Sequence, residues 1–152
     1  MDKNEILNII ERLVDAAKTA VLATVDAENW PHIRWMTPVR LRGRPEALYA
    51  ISSTQLAKTA QLARNPCVEW MFQDQTLREV VIVRGRVNLI DNPALKSEVL
   101  EAVGLRLAAF WKANQQGTGL VVLETVIDEA IYYLPLEGRR TRVRFGDEAE
   151  GA

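Results

Sequence analysis

The chain has 152 residues, 48% hydrophobic and 26% charged, with a net charge of −1, which suits one globular domain and gives no general attraction to nucleic acid or membrane lipid. No apolar run approaches the roughly 20 residues of a bilayer span, and Met1-Asp2-Lys3-Asn4-Glu5 lacks the basic start and apolar centre of a secretion signal, so a cytoplasmic protein is expected. A single cysteine, Cys67, excludes an internal disulfide framework and a cysteine-cluster metal site, and a single histidine, His32, argues against both a multi-histidine zinc site and Ser-His-Asp catalysis.

In chain order, Ile6, Ile10, Leu13 and Ala17 share one face of an opening helix, with Asp2 or Asn4 as its cap, placed to cover one end of a barrel. Thr19 to Val25 is small and β-branched, and Asp26-Ala27-Glu28-Asn29 interrupts it as a hairpin turn. In the next strand, Ile33, Trp35, Val39 and Leu41 fall on one face and His32, Arg34, Met36 and Arg40 on the other, so a core face and a cationic face are expected. Arg42-Gly43-Arg44-Pro45 turns into a strand over Ala47–Ile51, and an antiparallel pair there brings Arg34 toward the residues that follow.

Those residues are Ser52-Ser53-Thr54-Gln55-Leu56-Ala57-Lys58. Three hydroxyls end the strand, Thr54 is read as an N-cap, and Leu56, Ala60 and Ala63 recur at helical spacing until Asn65-Pro66. The first amides of a helix have no partner within it and carry the positive end of its dipole, so a phosphate there meets backbone donors, hydroxyls and, one turn in, the Lys58 ammonium. The plain alternative is an ordinary capped helix with a solvated lysine.

Farther on, Cys67–Phe72 and Glu79–Asp91 read as strands, with Cys67 expected to be buried and Gly85 to mark a bulge or bend. Asp91-Asn92-Pro93 has cap and first-turn proline chemistry for a helix ending near Gly104. A shorter helical piece is expected over Leu105–Lys112, then two β-rich runs, Gly119–Val126 and Asp128–Leu134. Residues 1–135 form one domain in this reading and 136–152 a charged tail carrying Arg139, Arg140, Arg142 and Arg144, read as solvated, with contact of its basic half to phosphate or a neighbouring subunit as the alternative. The sum is mainly β with flanking helices, an antiparallel barrel closed or nearly so.

The segments Ala23-Thr24-Val25, Pro31 to Pro38, Leu48 to Ser52, Lys58 to Leu62 and Asn65-Pro66, in that order and spacing, resemble the FMN-binding split-barrel family that contains pyridoxamine 5'-phosphate oxidase, in particular its general stress protein branch. The resemblance covers about residues 6 to 134. It implies an antiparallel split barrel, FMN as cofactor, and a homodimer with the flavin at the subunit interface. It implies that Arg34 binds the FMN phosphate, that Trp35, Met36 and Thr37 run along the isoalloxazine ring, that Ser52, Ser53 and Thr54 donate to the phosphate, and that Lys58 is its second cation. Trp111 is either a ring contact from the opposing subunit or a helix aromatic completing the core or interface. Two departures stand out: Leu56 replaces one possible phosphate contact, and the C-terminal arginine and histidine arrangement with which the true oxidase grips its substrate is missing. An oxidoreductase of a small substrate is therefore expected, without vitamin B6 oxidation; a flavin carrier, store or sensor without turnover, or a haem or deazaflavin binder on the same barrel, are the alternatives. No residue is assigned as catalytic and none as a metal ligand.

Overall fold

The structure, a computed structural model, describes residues 1–53, 57–104 and 119–146. Helix α1 (Lys3–Ala17) starts at Asp2, whose carboxylate accepts from the Glu5 amide at 2.9 Å while the Glu5 carboxylate accepts from the Asp2 amide at 3.2 Å. This reciprocal capping satisfies two donors and fixes where the helix begins. Its buried stripe of Ile6, Ile10 and Leu13, spaced as the sequence predicts, packs into the main core.

The remaining elements follow as β1 (Ala20–Val25), β2 (Pro31–Met36), β3 (Ala47–Ser53), α2 (Ala57–Arg64), β4 (Cys67–Gln73), β5 (Val80–Ile90), α3 (Pro93–Val103), β6 (Leu120–Leu134) and β7 (Arg139–Arg144). One antiparallel sheet runs β2-β1-β4-β5-β6-β3, with β7 also on β6. The sheet curls until Val39, just past β2, exchanges both backbone hydrogen bonds with Tyr49 of β3, at 2.7 and 2.9 Å, and so nearly closes. This is the expected antiparallel split barrel. The main core fills it with Leu22, Leu48, Trp70, Phe72, Val83 and Leu123, while a second core lies between β3, β6 and α3. Asn92 caps α3 by accepting from the Leu95 amide at 3.0 Å, with Pro93 in the first turn.

The two β-rich runs expected around residue 127 are one 15-residue strand. Its far edge pairs with β3 over Leu120–Val126 and with β7 over Glu129–Leu134. The bulge lies at this change of partner: Arg84 opposes Glu129 and Gly85 opposes Ile127, which leaves Asp128 as the extra residue. The Asp128 carbonyl accepts from the Phe145 amide at 2.8 Å and the Ile127 amide donates to the Glu46 carbonyl at 3.0 Å, so the displaced backbone stays bonded.

Three expectations are corrected. The solvated tail gives way, over residues 139–145, to part of the domain: a turn at Pro135–Gly138 feeds β7, and Val143 and Phe145 enter the main core between arginines that face outward. Charge density hid a two-residue alternation. Cys67 is exposed, because it stands on the outer face of β4 while Val68, Trp70 and Phe72 point inward. The faces of β2 are also reversed: Met36 packs against the core and Arg34 is half-buried, whereas Ile33 and Trp35 are 73% and 82% exposed. Alternation does not carry through Thr37-Pro38, since β2 ends at Met36, so the burial of Leu41 says nothing about Ile33. The Leu105–Lys112 helix, Thr54 and Trp111 lie outside the described residues, as do residues 147–152.

Helix α1 is held to the barrel by more than its apolar stripe. The Glu79 carboxylate accepts from both terminal nitrogens of Arg12, at 2.6 and 2.7 Å, and from the Tyr132 hydroxyl at 2.5 Å. The bond from Arg12 is the main reason the Glu79 carboxyl sits below its ordinary range. The folded protein therefore binds fewer protons here than the unfolded chain, so this stability is present above the unfolded pKa and is lost as pH falls through the folded one. Glu79→Gln, which keeps shape and removes charge, is expected to cost about 1–2 kcal/mol at neutral pH and to flatten the acid limb of a urea-denaturation stability curve. An unchanged curve overturns the latch. Among the described residues no helix is long and apolar enough to cross a membrane.

Candidate functional site

Strand β1 alternates, with Ala20, Leu22 and Thr24 buried and Val21, Ala23 and Val25 half-exposed. Thr24 is thus a hydroxyl on an otherwise apolar inner face, fully buried. Antiparallel pairing sets Leu22 opposite Arg34 and Thr24 opposite His32. From there the Arg34 guanidinium donates to the Leu22 carbonyl at 3.2 Å and to Thr24 Oγ1 at 2.7 Å. Helix α2 crosses this point: Thr24 Oγ1 donates to Gln61 Oε1 at 2.8 Å, and that oxygen also lies 3.5 Å from the same Arg34 nitrogen. Lys58, three residues before Gln61, shares its side of the helix.

The electrostatics at this point favour a nearby anion. Burial is the first cause pulling the Lys58 ammonium below its ordinary value, and the charge of Arg34 is the second. Burial likewise lowers Arg34. Both side chains are half-buried, and among the described residues no carboxylate pairs with either. Two like charges partly withdrawn from water with no counter-ion raise each other's cost, and a phosphate removes that cost for both. Arginine meets it with a planar fork and lysine with a compact point charge.

The hydroxyl cluster divides. Ser52 is 2% exposed on the inner face of β3 and, among the described residues, its Oγ has no hydrogen-bond partner, an uncompensated polar atom of the kind that ligand sites carry. The Ser53 carbonyl accepts from Thr59 Oγ1 at 2.6 Å, tying the end of β3 to α2. Met36 and the buried Thr37 continue from Arg34 as a backbone run, and Trp35 stands out from it over a depression shared with Val21 and Met71. The sequence-predicted residues Arg34 and Lys58 are therefore brought together, though by a different route from the one expected. Strand β2 pairs with β1 and β3 with β6, so the two cations meet through α2 rather than across a β2–β3 pair.

Other polar groups belong elsewhere. Arg40, grouped with the cationic face in the sequence, donates to the Leu7 carbonyl at 2.7 Å and the Pro45 carbonyl at 2.6 Å, clamping α1 to the turn before β3. His32 Nε2 lies 2.8 Å from Asp26 Oδ2 at the end of the β1–β2 hairpin, and this bond, ahead of those from the Trp30 and Glu28 amides, holds the Asp26 carboxyl below its ordinary range. A groove of about 590 Å³ runs over the outer faces of β1, β4, β5 and β6, with Ala23, Cys67, Glu69, Arg84 and Arg144 on its walls. It meets the cation cluster only at Thr24, and its charges are largely paired, Arg84 with Glu69 and Arg86 with Asp128. The uncompensated charge of Arg34 and Lys58 is the firmer guide to a ligand. Thr24 and Gln61 were missed in the sequence, where the one available signal was a threonine on the apolar face of β1.

A family model described as pyridoxamine 5'-phosphate oxidase matches residues 8–134. Among solved structures, a Clostridium acetobutylicum protein related to general stress protein 26 superposes with a TM-score of 0.75 at 16% identity, covering 96% of this chain and 98% of that one. A pyridoxamine 5'-phosphate oxidase-related, FMN-binding protein of Nostoc punctiforme gives 0.64 at 16% identity, with 95% and 96% covered. An F420 reductase gives 0.59 at 19% identity, with 79% and 94% covered. At these identities the likeness is one of fold. No curated protein matches the sequence.

Proposed function

The chain belongs to the pyridoxamine 5'-phosphate oxidase family, and from that premise we propose that it is an FMN-binding flavoprotein, acting as an oxidoreductase on a small substrate and working as a homodimer. The observation that carries this reading is the pair of half-buried cations, Arg34 and Lys58, converging with no carboxylate beside them among the described residues. The FMN phosphate supplies the missing charge. In this reading Ser52, whose hydroxyl has no partner among the described residues, and Ser53 after it serve the phosphate end together with Thr54, which lies outside the described residues, and the run Trp35-Met36-Thr37 serves the ring. When bound, the flavin supplies hydride or electron transfer, and the residues around it supply placement, hydrogen bonds and control of access. His32 is committed to Asp26 at the hairpin end, and no residue is assigned a proton-transfer role.

The homodimer rests on exposed apolar area beside this site. Ile33 and Trp35 on the outer face of β2 and Met71 on β4, at 36% exposure, make a patch that a second subunit covers. Trp111, outside the described residues, is the candidate ring contact brought by that subunit. A second reading, a deazaflavin in place of FMN, is favoured by the likeness to an F420 reductase and by a cation pair that accepts any phosphate.

Absorption spectroscopy of the purified protein, followed by titration with FMN, riboflavin and F420, separates these readings. Flavin bands are expected, with FMN bound at least about tenfold more tightly than riboflavin, since riboflavin lacks the group that Arg34 and Lys58 hold. Tight F420 binding without FMN binding selects the second reading. A colourless protein that binds neither overturns both, and a monomer by light scattering that retains full FMN affinity overturns the dimer.

A further inference from the structure

The bonds around Arg34 have a direction. A guanidinium can only donate, so both atoms that meet the same Arg34 nitrogen must accept from it: Thr24 Oγ1 at 2.7 Å and the Gln61 side-chain atom at 3.5 Å. That fixes the Gln61 amide with its oxygen inward. Thr24 Oγ1 then spends its one hydrogen on Gln61 Oε1, at 2.8 Å, while accepting from Arg34. The order is Arg34 to Thr24 to Gln61, and its first bond has no freedom to reverse, because the arginine at its head has no acceptor. With Oε1 engaged, the Gln61 Nε2 group is the part of the amide left to donate elsewhere, and Gln61 itself shares the side of α2 that carries Lys58.

We propose that Thr24 is the positioning residue of the anion site, its buried hydroxyl setting the Arg34 guanidinium and, through Gln61, the register of α2, so that Arg34, Lys58 and the Gln61 amide nitrogen face one phosphate. This rests on the reading of the cluster as the FMN phosphate site. The geometry favours positioning over simple packing. Thr24 is fully buried among apolar neighbours of β1, where valine fills the same volume, and among the described residues its hydroxyl is bonded to the two residues named. A carboxylate at position 61 would instead give Arg34 and Lys58 an internal counter-ion and compete with the ligand.

The test uses Thr24→Val, Thr24→Ser and Gln61→Glu in the full chain, read by FMN and riboflavin titration and by the rise in thermal midpoint that inorganic phosphate produces. Thr24→Val is expected to lose FMN affinity by on the order of tenfold, the size of one charge-assisted hydrogen bond, with riboflavin affinity unchanged and phosphate protection reduced in step. Thr24→Ser restores both to within about threefold. Gln61→Glu, which folds with its new ion pair, loses FMN affinity by on the order of a hundredfold and loses phosphate protection. Equal losses for FMN and riboflavin in Thr24→Val reduce the role of Thr24 to packing and overturn the inference, as does wild-type FMN affinity in either Thr24→Val or Gln61→Glu. If the wild-type protein ignores FMN but is protected by phosphate, and the variants follow the pattern above for phosphate, the flavin assignment fails and the positioning role stands. If neither FMN nor phosphate binds the wild type, both fail.

Discussion

Lys58→Ala is expected to weaken FMN binding by about ten- to hundredfold, equivalent to about 1.5–3 kcal/mol, without unfolding the barrel. The ammonium is half-buried beside Arg34 with no carboxylate among the described residues, so removing it takes away a repulsion in the free protein and a charge-assisted contact in the complex. The two states should respond in opposite senses, which few substitutions do. A second consequence concerns pH. Folding lowers the Lys58 pKa from its ordinary value of 10.5, by burial first and by Arg34 second. Between the folded and unfolded values the unfolded chain binds more protons than the native one, so stability of the flavin-free protein rises with pH through that window and falls as pH drops through the folded value. Urea denaturation of flavin-free protein across the alkaline limb should show this rise in wild type, lose it in Lys58→Ala, and lose it again in wild type saturated with FMN, whose phosphate keeps Lys58 protonated. Unchanged FMN affinity in Lys58→Ala places the phosphate elsewhere.

The parts of this design that could be read in the sequence are those a local pattern decides. The capped stripe of α1, the hairpin turn at Asp26–Asn29, the cap and proline of α3 and the bend at Gly85 each follow from residues adjacent in the chain. Arg34 and Lys58 were also legible, since a cation in a strand and a cation one turn into a helix are each visible alone. Their route together was not. It depends on β1 lying between β2 and β4, a pairing that no spacing within β2 or β3 encodes. The inversion of β2 has a similar cause. His32, Arg34 and Met36 against Ile33 and Trp35 looks one-sided by hydrophobicity, yet Arg34 is turned inward to meet Leu22, Thr24 and Gln61, and the apolar pair is turned out. A strand that carries ligand chemistry on its inner face and apolar area on its outer face violates the pattern that alternation is meant to detect. The missed β7 illustrates the reverse case: Val143 and Phe145 carry a strand signal two residues long, and four arginines in six positions drown it.

A large stability effect is expected at Gly85. A Cβ built there lies 2.3 Å from the Val126 carbonyl oxygen and 2.7 Å from Thr125 Cγ2, and the first of these is backbone, held in the ladder between β5 and β6. Replacing glycine by alanine ordinarily gains about 0.4–1 kcal/mol by restricting the unfolded chain. Here that gain is small against the overlap, because the carbonyl can retreat only by breaking the pairing at the bulge where β6 changes partner from β3 to β7. Gly85→Ala is therefore expected to cost about 3 kcal/mol or more, and Gly85→Val to prevent folding or to shift the strand register. Gly43 provides the contrast. Its φ of +86° strains any side chain, but a Cβ there meets nothing within 4 Å, so Gly43→Ala should cost only about 1–2 kcal/mol. Urea midpoints of the two alanine variants side by side measure the difference between backbone strain and steric exclusion. Equal midpoints would mean that the β5–β6 bulge yields to a methyl group, and that the close approach at Gly85 is a consequence of the barrel's curvature rather than one of the things that sets it.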